Sequence, residues 1–577
     1  MNVGTAVCTA EDDRPWLHVR RELFEYGLLP FPSLVHLDGV ASLQGRLLSH
    51  ATDQGRKRVG TSGIAGALCL PEAQAHLVLD TLASVLPDDG IHVDSLSRGA
   101  IDNIDSVGAD IDDLIVFLYI QNYRKLQPRP HRDAAAVADI WPSNSAFDKF
   151  LHSLSPLQMR IARRSVPFQA EEEAHQLTWV QKHLPSILGL LAEFTIDEDN
   201  ETKVVAAEKF EHLGILFQVH DSNGNSVQLN QAAPFFANSD PHMPAAPVPL
   251  YQVLDWILEH ICAASEHAFE KGSMKDNGPL YSTGQEVDVT MVDAGSSTTA
   301  PSDNTSNGLG QLYRDWSPER VTFVDAVTRA SVFKGEADVK GNSLKVSNCH
   351  DTSIYVLAPF KYASVFGCSD SIIVLGPVGK ALRVEHCERL QLVVPSARIS
   401  IANCRECVFY LGVNQQPLIL GDSHKLQVAP YNTFYPKLET HLAAAGVNPA
   451  VNRWDKVLTL GVVDPHDSVS HPAGIADTLA EGATIVHPDR YMTFMIPRFS
   501  EEEPEQPLTM SNPFLLPKTY LLAQQQRVTS MENLRKVLKD APLSESNKRE
   551  LSNAIHAHFR DWIYASGNVR HLYDPQL

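Results

Sequence analysis

The most constraining feature of the sequence is a motif that recurs between Val346 and Val428. Each copy places a small aliphatic residue three positions before an anchor, which is a cysteine in the first four copies. Successive anchors are 19, 19, 17 and 18 residues apart. The anchors are Cys349, Cys368, Cys387, Cys404 and, in the same place of the fifth copy, Asp422.

Apolar residues also recur at fixed distances before and after each anchor, and they form columns when the copies are aligned. Stacked parallel rungs need this pattern, because each coil presents a like side chain above its neighbour at roughly 4.8 Å. The motif therefore predicts a parallel β-helix of about five coils, in which the cysteines are small, buried hydrophobic residues. The columns are Val346, Val365, Val384, Ile401 and Ile419 before the anchors, and Ile354, Ile373, Leu392 and Phe409 with Val356, Leu375, Val394 and Leu411 after them.

The rest of the chain is too long for one core, since it has 577 residues. We expect an α-helical N-terminal domain (1–270), a flexible Gly/Ser/Thr/Asn-rich linker (271–310), the β-helix domain (311–436) and a loop-rich, helical C-terminal extension (437–577). In the extension, apolar stripes that include Met531 and Leu534 on one helix and Leu551 and Ile555 on the next are expected to pack back on the body. The fold class is multidomain α+β.

Composition narrows the functional classes. With 48 basic and 69 acidic residues the formal charge is −21, which disfavours nucleic acid as a partner. No apolar run reaches the roughly 20 residues of a membrane span. The start of the chain is acidic and lacks a signal-peptide core, so we expect a cytoplasmic protein with reduced cysteines.

Motifs for cofactors, metals or hydrolysis are not evident. The chain has no phosphate-binding loop or HExxH helix, and Cys404 and Cys407 form a lone CxxC without a second pair. His466 and His471 stand in a proline-containing loop that explains them without a metal. Long β-helices also occur as polysaccharide lyases, but this stack is short and shows no column of acids. We therefore expect no cofactor and no metal.

Several segments carry a family resemblance. The rungs resemble the C-terminal β-helix of tubulin-binding cofactor C, also found in cyclase-associated proteins (the C-CAP/cofactor C-like family). The flanks are similar to those of plant and algal family members. That resemblance implies a short right-handed parallel β-helix and a role facing GTPases. The segments are Ile399–Cys404, Gln416–Leu420 and Leu426–Tyr431 in the rungs, and Trp141–Phe147, Ser155–Gln158, Glu171–His175, Gln181–Leu184, Val462–Asp467 and Asp561–Asn568 in the flanks.

The resemblance also implies a position for catalysis. Catalytic family members accelerate GTP hydrolysis with an arginine finger four residues before the cysteine of the penultimate rung, and the matching residue here is Ser400. A serine cannot supply positive charge to a γ-phosphoryl group. Arg383 on the neighbouring rung and Arg398 on the same side are the possible substitutes.

The resulting hypothesis is a non-catalytic cytoskeletal binding and scaffold protein, not an enzyme, that helps position centrosomes, spindle poles, basal bodies or other microtubule-organising sites. The alternative is a GTPase-activating protein for tubulin or an Arf-like GTPase that uses Arg383 or Arg398. A third, weaker possibility is an adaptor for actin-linked partners. The candidate partner-binding residues are Lys345, Arg383, Ser400, Gln415 and Gln416.

Overall fold

The repeat forms a parallel β-helix in the computed structural model, which describes residues 16–29, 40–51, 57–87, 108–124, 169–197, 200–220, 226–236, 245–261, 321–460, 482–496, 512–540 and 544–566. Two ladders of parallel strands make up its walls. The first ladder contains Val321–Asp325, Ser343–Ser347, Phe360–Phe366, Val378–Glu385, Ile399–Ala402, Leu418–Leu420 and Leu458–Thr459. The second ladder contains Ser331–Lys334, Ser353–Val356, Ile372–Leu375, Gln391–Ser396, Val408–Val413, Gln427–Pro430 and Thr484–Ile485.

The predicted columns are confirmed residue by residue. In the first ladder Val346 pairs with Val365, Val365 with Val384, Val384 with Ile401, and Ile401 with Ile419. The second ladder aligns Ile354, Ile373, Leu392 and Phe409 in the same way. All of these side chains are buried in one hydrophobic core. Because the pairing is in register, apolar side chains contact apolar side chains from coil to coil.

The stack is longer than the sequence pattern indicates. A further coil precedes the first cysteine, because Val321–Asp325 pairs with Ser343–Ser347. Strands Leu458–Thr459 and Thr484–Ile485 from the C-terminal extension continue the stack at its other end. Residues 321–430 therefore make about six turns, where the sequence predicted about five.

One anchor was assigned wrongly from the sequence. Asp422 does not occupy the cysteine position of the fifth copy, because Arg405 pairs with His424 and Ser423 therefore follows Cys404 in the column. Ser423 is fully buried, and its hydroxyl accepts a hydrogen bond from the Cys404 amide at 3.2 Å. In the fourth copy, the corner residue with a left-handed backbone is Asn403, directly before Cys404. In the fifth copy it is Gly421, two residues before Ser423. The last corner therefore carries one extra residue.

The cysteines are buried in the β-helix, as predicted, and those in the described residues form no disulfide. Their thiols donate weakly to main-chain carbonyls two residues earlier, as Cys404 does to Ala402 at 3.3 Å. Burial raises the pKa of the Cys387 and Cys404 thiols well above its usual value. A neutral thiol packs as a small hydrophobic group, so the ladder is structural.

The N-terminal part is mainly helical, with small two- and three-stranded sheets. The predicted amphipathic helices lie at Ile111–Ile120 and Gln169–Leu191, where Leu114, Ile115 and Leu184 are buried in a common core. Its other helices are Arg21–Tyr26, Val40–Ser49, Thr61–Leu68, Glu72–Val85, Ala207–Glu211, the 3-10 turn His212–Ile215, Leu229–Ala232 and Leu250–His260. Its strands are Leu17–Val19, Arg58–Val59, Ala109–Asp110, Glu193–Asp197, Asn200–Val205, Phe217–His220, Ser226–Val227 and Val248–Pro249.

The C-terminal extension contains helices at Leu438–Ala445, Lys518–Asp540 and Glu545–Ser566, the 3-10 turn Pro488–Arg490, and the strand Phe494–Met495. This strand pairs with Thr433–Phe434, which lies just before the extension. The expectation that both apolar stripes of the last two helices pack back on the body is wrong. Met531, Leu534, Leu551 and Ile555 are all exposed.

The linker 271–310 and the loop with His466 and His471 lie outside the described residues. The domain boundaries stay predictions. Among the described helices, none has the length and apolar character to cross a bilayer.

Candidate functional site

The outward column of the first ladder carries Ser400, the position at which the family resemblance implies an arginine finger. Lys345 pairs with Ser364, Ser364 with Arg383, Arg383 with Ser400, and Ser400 with Leu418. Neighbouring positions such as Val384 and Ile401 are buried in the β-helix core, so the column points away from it. Sequence periodicity alone thus placed Ser400 in the correct register and next to Arg383.

This face of the β-helix is covered by the N-terminal domain. The helices Arg21–Tyr26 and Glu72–Val85 contact the strand Val378–Glu385. The ring of Tyr26 stacks on that of Tyr362, with centroids 4.9 Å apart, and the Tyr362 hydroxyl donates to the Ser84 carbonyl oxygen at 2.7 Å. Lys380 donates to the Leu86 carbonyl oxygen at 2.8 Å. The column therefore forms part of an internal interface.

Apolar packing extends this interface along the ladder. Tyr362, Ala381, Leu418 and Leu460 are buried in the same hydrophobic cluster as the N-terminal helices, and not in that of the β-helix interior. Leu420 and Leu458 pack at its margin. Burial of such side chains contributes roughly 1.5–3 kcal/mol each relative to exposure. The two parts are therefore joined by a hydrophobic contact as well as by polar ones.

The two charged side chains of the column converge on one residue of the N-terminal domain. Lys345 forms an ion pair with Glu25, with Nζ 2.9 Å from Oε1. Arg383 donates to the Glu25 carbonyl oxygen and pairs with Glu385. The Arg383 side chain keeps 22% of its surface exposed. Both cations are thus engaged within the chain.

Arg398 lies deeper in the interface, with 5% of its surface exposed. Its guanidinium lies 3.4 Å from the Ser84 hydroxyl oxygen, to which it donates a long hydrogen bond. Burial lowers its pKa to about 10, while the charge of Asp80 acts in the opposite direction. A guanidinium held in this way cannot reach a phosphate on another protein unless the N-terminal domain moves.

The remaining candidates differ in exposure. Ser400 is partly buried between Arg383 and Leu418. Gln415 is also partly buried, and its main-chain amide donates to Ala397. Gln416 is exposed. The sequence therefore predicted that Lys345, Arg383 and Ser400 share one outward column, but it did not predict the domain that covers that column. The available signal was Leu418, an aliphatic residue in an outward position.

The outer face of the second ladder is covered as well. Tyr355, Val374 and Val393 form an outward column that packs against the C-terminal extension, including Leu438 and Leu442. A corner edge runs between the two covered faces. It carries opposite charges on successive coils, including a two-bond pair from Arg389 to Asp370 at 2.6 and 2.8 Å and a pair between Lys425 and Glu406 at 2.8 Å.

A separate polar cluster lies in the N-terminal domain. Single ligand atoms of Asp110, Asp112 and His212 lie within 4.8 Å of one another, a spacing that could hold a cation. Lys209 already pairs with Asp112, and the His212 Nδ1 lies 2.7 Å from Asp113. Asp110 accepts a hydrogen bond from the Asp112 amide as the N-cap of Ile111–Ile120. These contacts explain the cluster as a structural network, and the expected absence of a metal stays a prediction.

Comparison with known proteins agrees with this architecture. The family model "Tubulin binding cofactor C" matches residues 341–460. The curated relatives include "TBCC domain-containing protein 1" from zebrafish (Danio rerio), 23% identical over 81% of this chain and 75% of that protein. The mouse protein of that name is 23% identical over 79% and 76% of the two chains, and the human one is 26% identical over 44% and 42%. Residues 341–460 therefore match a tubulin-binding cofactor C domain, and most of the chain is similar to proteins that contain this domain.

Proposed function

We propose that this protein is a non-catalytic binding and scaffold protein of the cytoskeleton. It contacts tubulin or an Arf-like GTPase without accelerating GTP hydrolysis, and it acts in the cytoplasm at centrosomes, spindle poles or basal bodies. The observation that carries the absence of catalysis is the outward column, where the finger position is Ser400 and the face is covered by the N-terminal domain. The cytoskeletal role rests on the family resemblance.

The physical argument concerns charge at the transition state. An arginine finger neutralises charge that develops on the γ-phosphoryl group, with an effect of roughly 10³- to 10⁵-fold in rate. Ser400 has no charge, and both neighbouring arginines are held by groups of this chain. A binding surface needs no such cation. The exposed corner edge and Gln416 offer polar groups for a protein partner without movement of a domain.

The alternative, a GTPase-activating protein, has one observation in its favour. Arg383 lies directly beside Ser400 and is partly exposed, so release of the N-terminal domain would free a guanidinium one rung from the family position. Arg398 would be freed by the same movement, since its hydrogen-bond partner Ser84 belongs to the N-terminal domain. The alternative therefore requires that the interface opens.

Single-turnover GTP hydrolysis separates the two functions. Binding of tubulin and of Arf-like GTPases to the full chain is measured in parallel, so that failure to bind is distinguished from failure to activate. We expect binding with an unchanged hydrolysis rate, both for the wild type and for Tyr362→Ala, which weakens the interface. Stimulation by either protein that disappears in Arg383→Ala or Arg398→Ala would overturn the proposal.

Two control variants accompany this assay. Lys345→Ala removes a cation from the same face and the same Glu25 contact, and it therefore reports a general loss of the interface. Arg389→Ala removes an arginine from the corner edge, away from the interface. A loss of activity confined to Arg383→Ala or Arg398→Ala would identify a finger, whereas a loss shared with Lys345→Ala would indicate structural damage.

A further inference from the structure

An open groove lies along the helix Leu250–His260 of the N-terminal domain. Residues of this helix line it together with Pro234 and Phe235. Its volume is about 520 Å³, which falls in the range of roughly 300–1,000 Å³ that is typical of ligand-binding pockets. The opposite side of the helix is anchored in the core, where Val253 and Ile257 are fully buried. The helix that lines the groove is therefore held in place.

Aromatic rings give the groove an ordered apolar surface. Phe235 and Trp256 pack edge to face, with centroids 5.6 Å apart and an angle of 83° between the ring planes. Trp256 is buried, whereas Tyr251 lies on the same helix with 68% of its surface exposed. Aromatic-lined grooves bind proline-rich segments, and a planar guanidinium group stacks on aromatic faces. The rings thus suit both kinds of side chain.

Two carboxylates stand beside these rings. Asp255 and Glu259 line the same groove and are exposed. They lie four residues apart, as do Tyr251 and Asp255, so all three share one side of the helix. Within the part of the chain that the structure describes, neither carboxylate has an ion-pair or hydrogen-bond partner for its side chain. Like charges at this spacing destabilise a helix, and a cation bound between them would relieve the repulsion.

We propose that this groove binds an extended segment of a partner protein that contains proline and arginine. From Tyr251 to Glu259 the helix rises about 12 Å, which matches about four residues of extended chain at about 3.1 Å each. The proline rings pack on Tyr251 and Trp256, and an arginine pairs with Asp255 and Glu259. A proline-containing segment is already stiff, so it loses little conformational freedom on binding.

The polar and charged surroundings favour the same partner. The formal charge of −21 attracts basic segments at a distance and repels acidic ones. Gln252 is exposed in the groove, where its side-chain amide offers a donor and an acceptor. An extended segment without internal hydrogen bonds presents main-chain groups that can use both. Charge therefore brings the segment to the surface, and the rings and Gln252 select its binding place.

Fluorescence anisotropy with the full chain and a labelled eight-residue peptide of alternating proline and arginine tests the proposal. We expect saturable binding that weakens as salt is added. Asp255→Asn/Glu259→Gln should raise the dissociation constant about tenfold, because two charge contacts are lost. Tyr251→Ala should raise it about fivefold through loss of a ring contact, whereas Tyr251→Phe keeps the ring and should bind like the wild type.

The matched control is Glu532→Gln/Glu550→Gln, which removes the same charge from exposed positions on the helices Lys518–Asp540 and Glu545–Ser566. It should leave the dissociation constant unchanged. Equal weakening in this control would overturn the proposal, because binding would then reflect overall charge alone. Unchanged binding by Tyr251→Ala would overturn it too.

Two further measurements test the other possible occupants. A peptide of alternating proline and glutamate should not bind, and binding as tight as that of the arginine peptide would refute the role of the carboxylates. Sedimentation velocity should show no difference in mass between the wild type and Asp255→Asn/Glu259→Gln. Self-association that this variant abolishes would overturn the proposal and assign the groove to a second copy of the chain. Circular dichroism verifies that each variant stays folded.

Discussion

Replacement of Tyr362 by alanine should separate the N-terminal domain from the β-helix. The Tyr362 side chain is buried, its ring stacks on Tyr26, and its hydroxyl donates to Ser84 at 2.7 Å. Loss of a buried aromatic ring costs about 3–5 kcal/mol, whereas loss of a single hydrogen bond costs about 1 kcal/mol. We therefore expect Tyr362→Ala to weaken the coupling between the two parts by about 4 kcal/mol and Tyr362→Phe by about 1 kcal/mol.

Pulsed hydrogen exchange at increasing urea, resolved by peptide mass spectrometry, gives an unfolding midpoint for each region. At about 2 kcal/mol per M of urea, Tyr362→Ala should lower the midpoint of the N-terminal helices by about 2 M, and Tyr362→Phe by about 0.5 M. The unfolding midpoint of the β-helix core should change much less, because Val365 and Val384 in that core keep their contacts. Equal shifts in the two variants would refute the role given to the ring.

Tyr355→Ala is the matched control for this experiment. Tyr355 is also buried and points outward, but it lies on the second ladder and packs against the C-terminal extension. Its replacement should lower the midpoint of the extension around Leu438 and leave the N-terminal helices unchanged. If both alanine variants shifted the same region, the two faces would not be separate interfaces.

Three further predictions concern the core, the thiols and the polar cluster. Ile401→Ala should lower the free energy of unfolding of the β-helix by about 2–5 kcal/mol in urea titrations, since Ile401 is fully buried. Iodoacetamide should label Cys69 in the folded protein but not Cys387 or Cys404, because burial raises the pKa of those two thiols; peptide mass spectrometry reads out the labelling. Burial opposes charge on His212, but the hydrogen bond to Asp113 and the carboxylates of Asp110 and Asp112 outweigh it and raise its pKa above 6.5. The contribution of His212 to the stability of the N-terminal domain should therefore be fully present below about pH 6.5 and be lost as the pH rises through the raised pKa, and thermal unfolding of His212→Gln should lack this step.

The β-helix could be predicted because its information is local and repeated. Each rung repeats the same residue types at the same offsets, so the pairing of Val384 with Ile401 follows from alignment of the chain with itself. The error at Asp422 has a physical cause. The last corner contains one more residue than the others, and a polar serine can fill the buried position because its hydroxyl accepts a bond from the Cys404 amide. No residue pattern in the earlier copies indicated this insertion.

The packing of other parts of the chain on the outer faces of the β-helix could not be predicted from the sequence in the same way. The contact of Tyr362 with Ser84 joins residues 278 positions apart, and no periodicity connects them. A single aliphatic residue such as Leu418 in an outward column is compatible with either a partner protein or another domain. The exposed stripes of the last helices present the converse problem. Their spacing predicts buried faces, but the pattern does not state which chain buries them.

The serine at position 400 and the cover over its face are physically related. Glu25 of the N-terminal domain already pairs with Lys345 through its carboxylate and accepts a hydrogen bond from Arg383 at its carbonyl oxygen. The charge of Asp80 already acts on the buried Arg398. An additional arginine at position 400 would stand beside Arg383 and place a further guanidinium in the interface. Its desolvation would cost several kcal/mol unless a new carboxylate compensated it. A small neutral side chain avoids that cost. A serine at position 400 carries no charge to desolvate, so it is compatible with the N-terminal domain lying over this face.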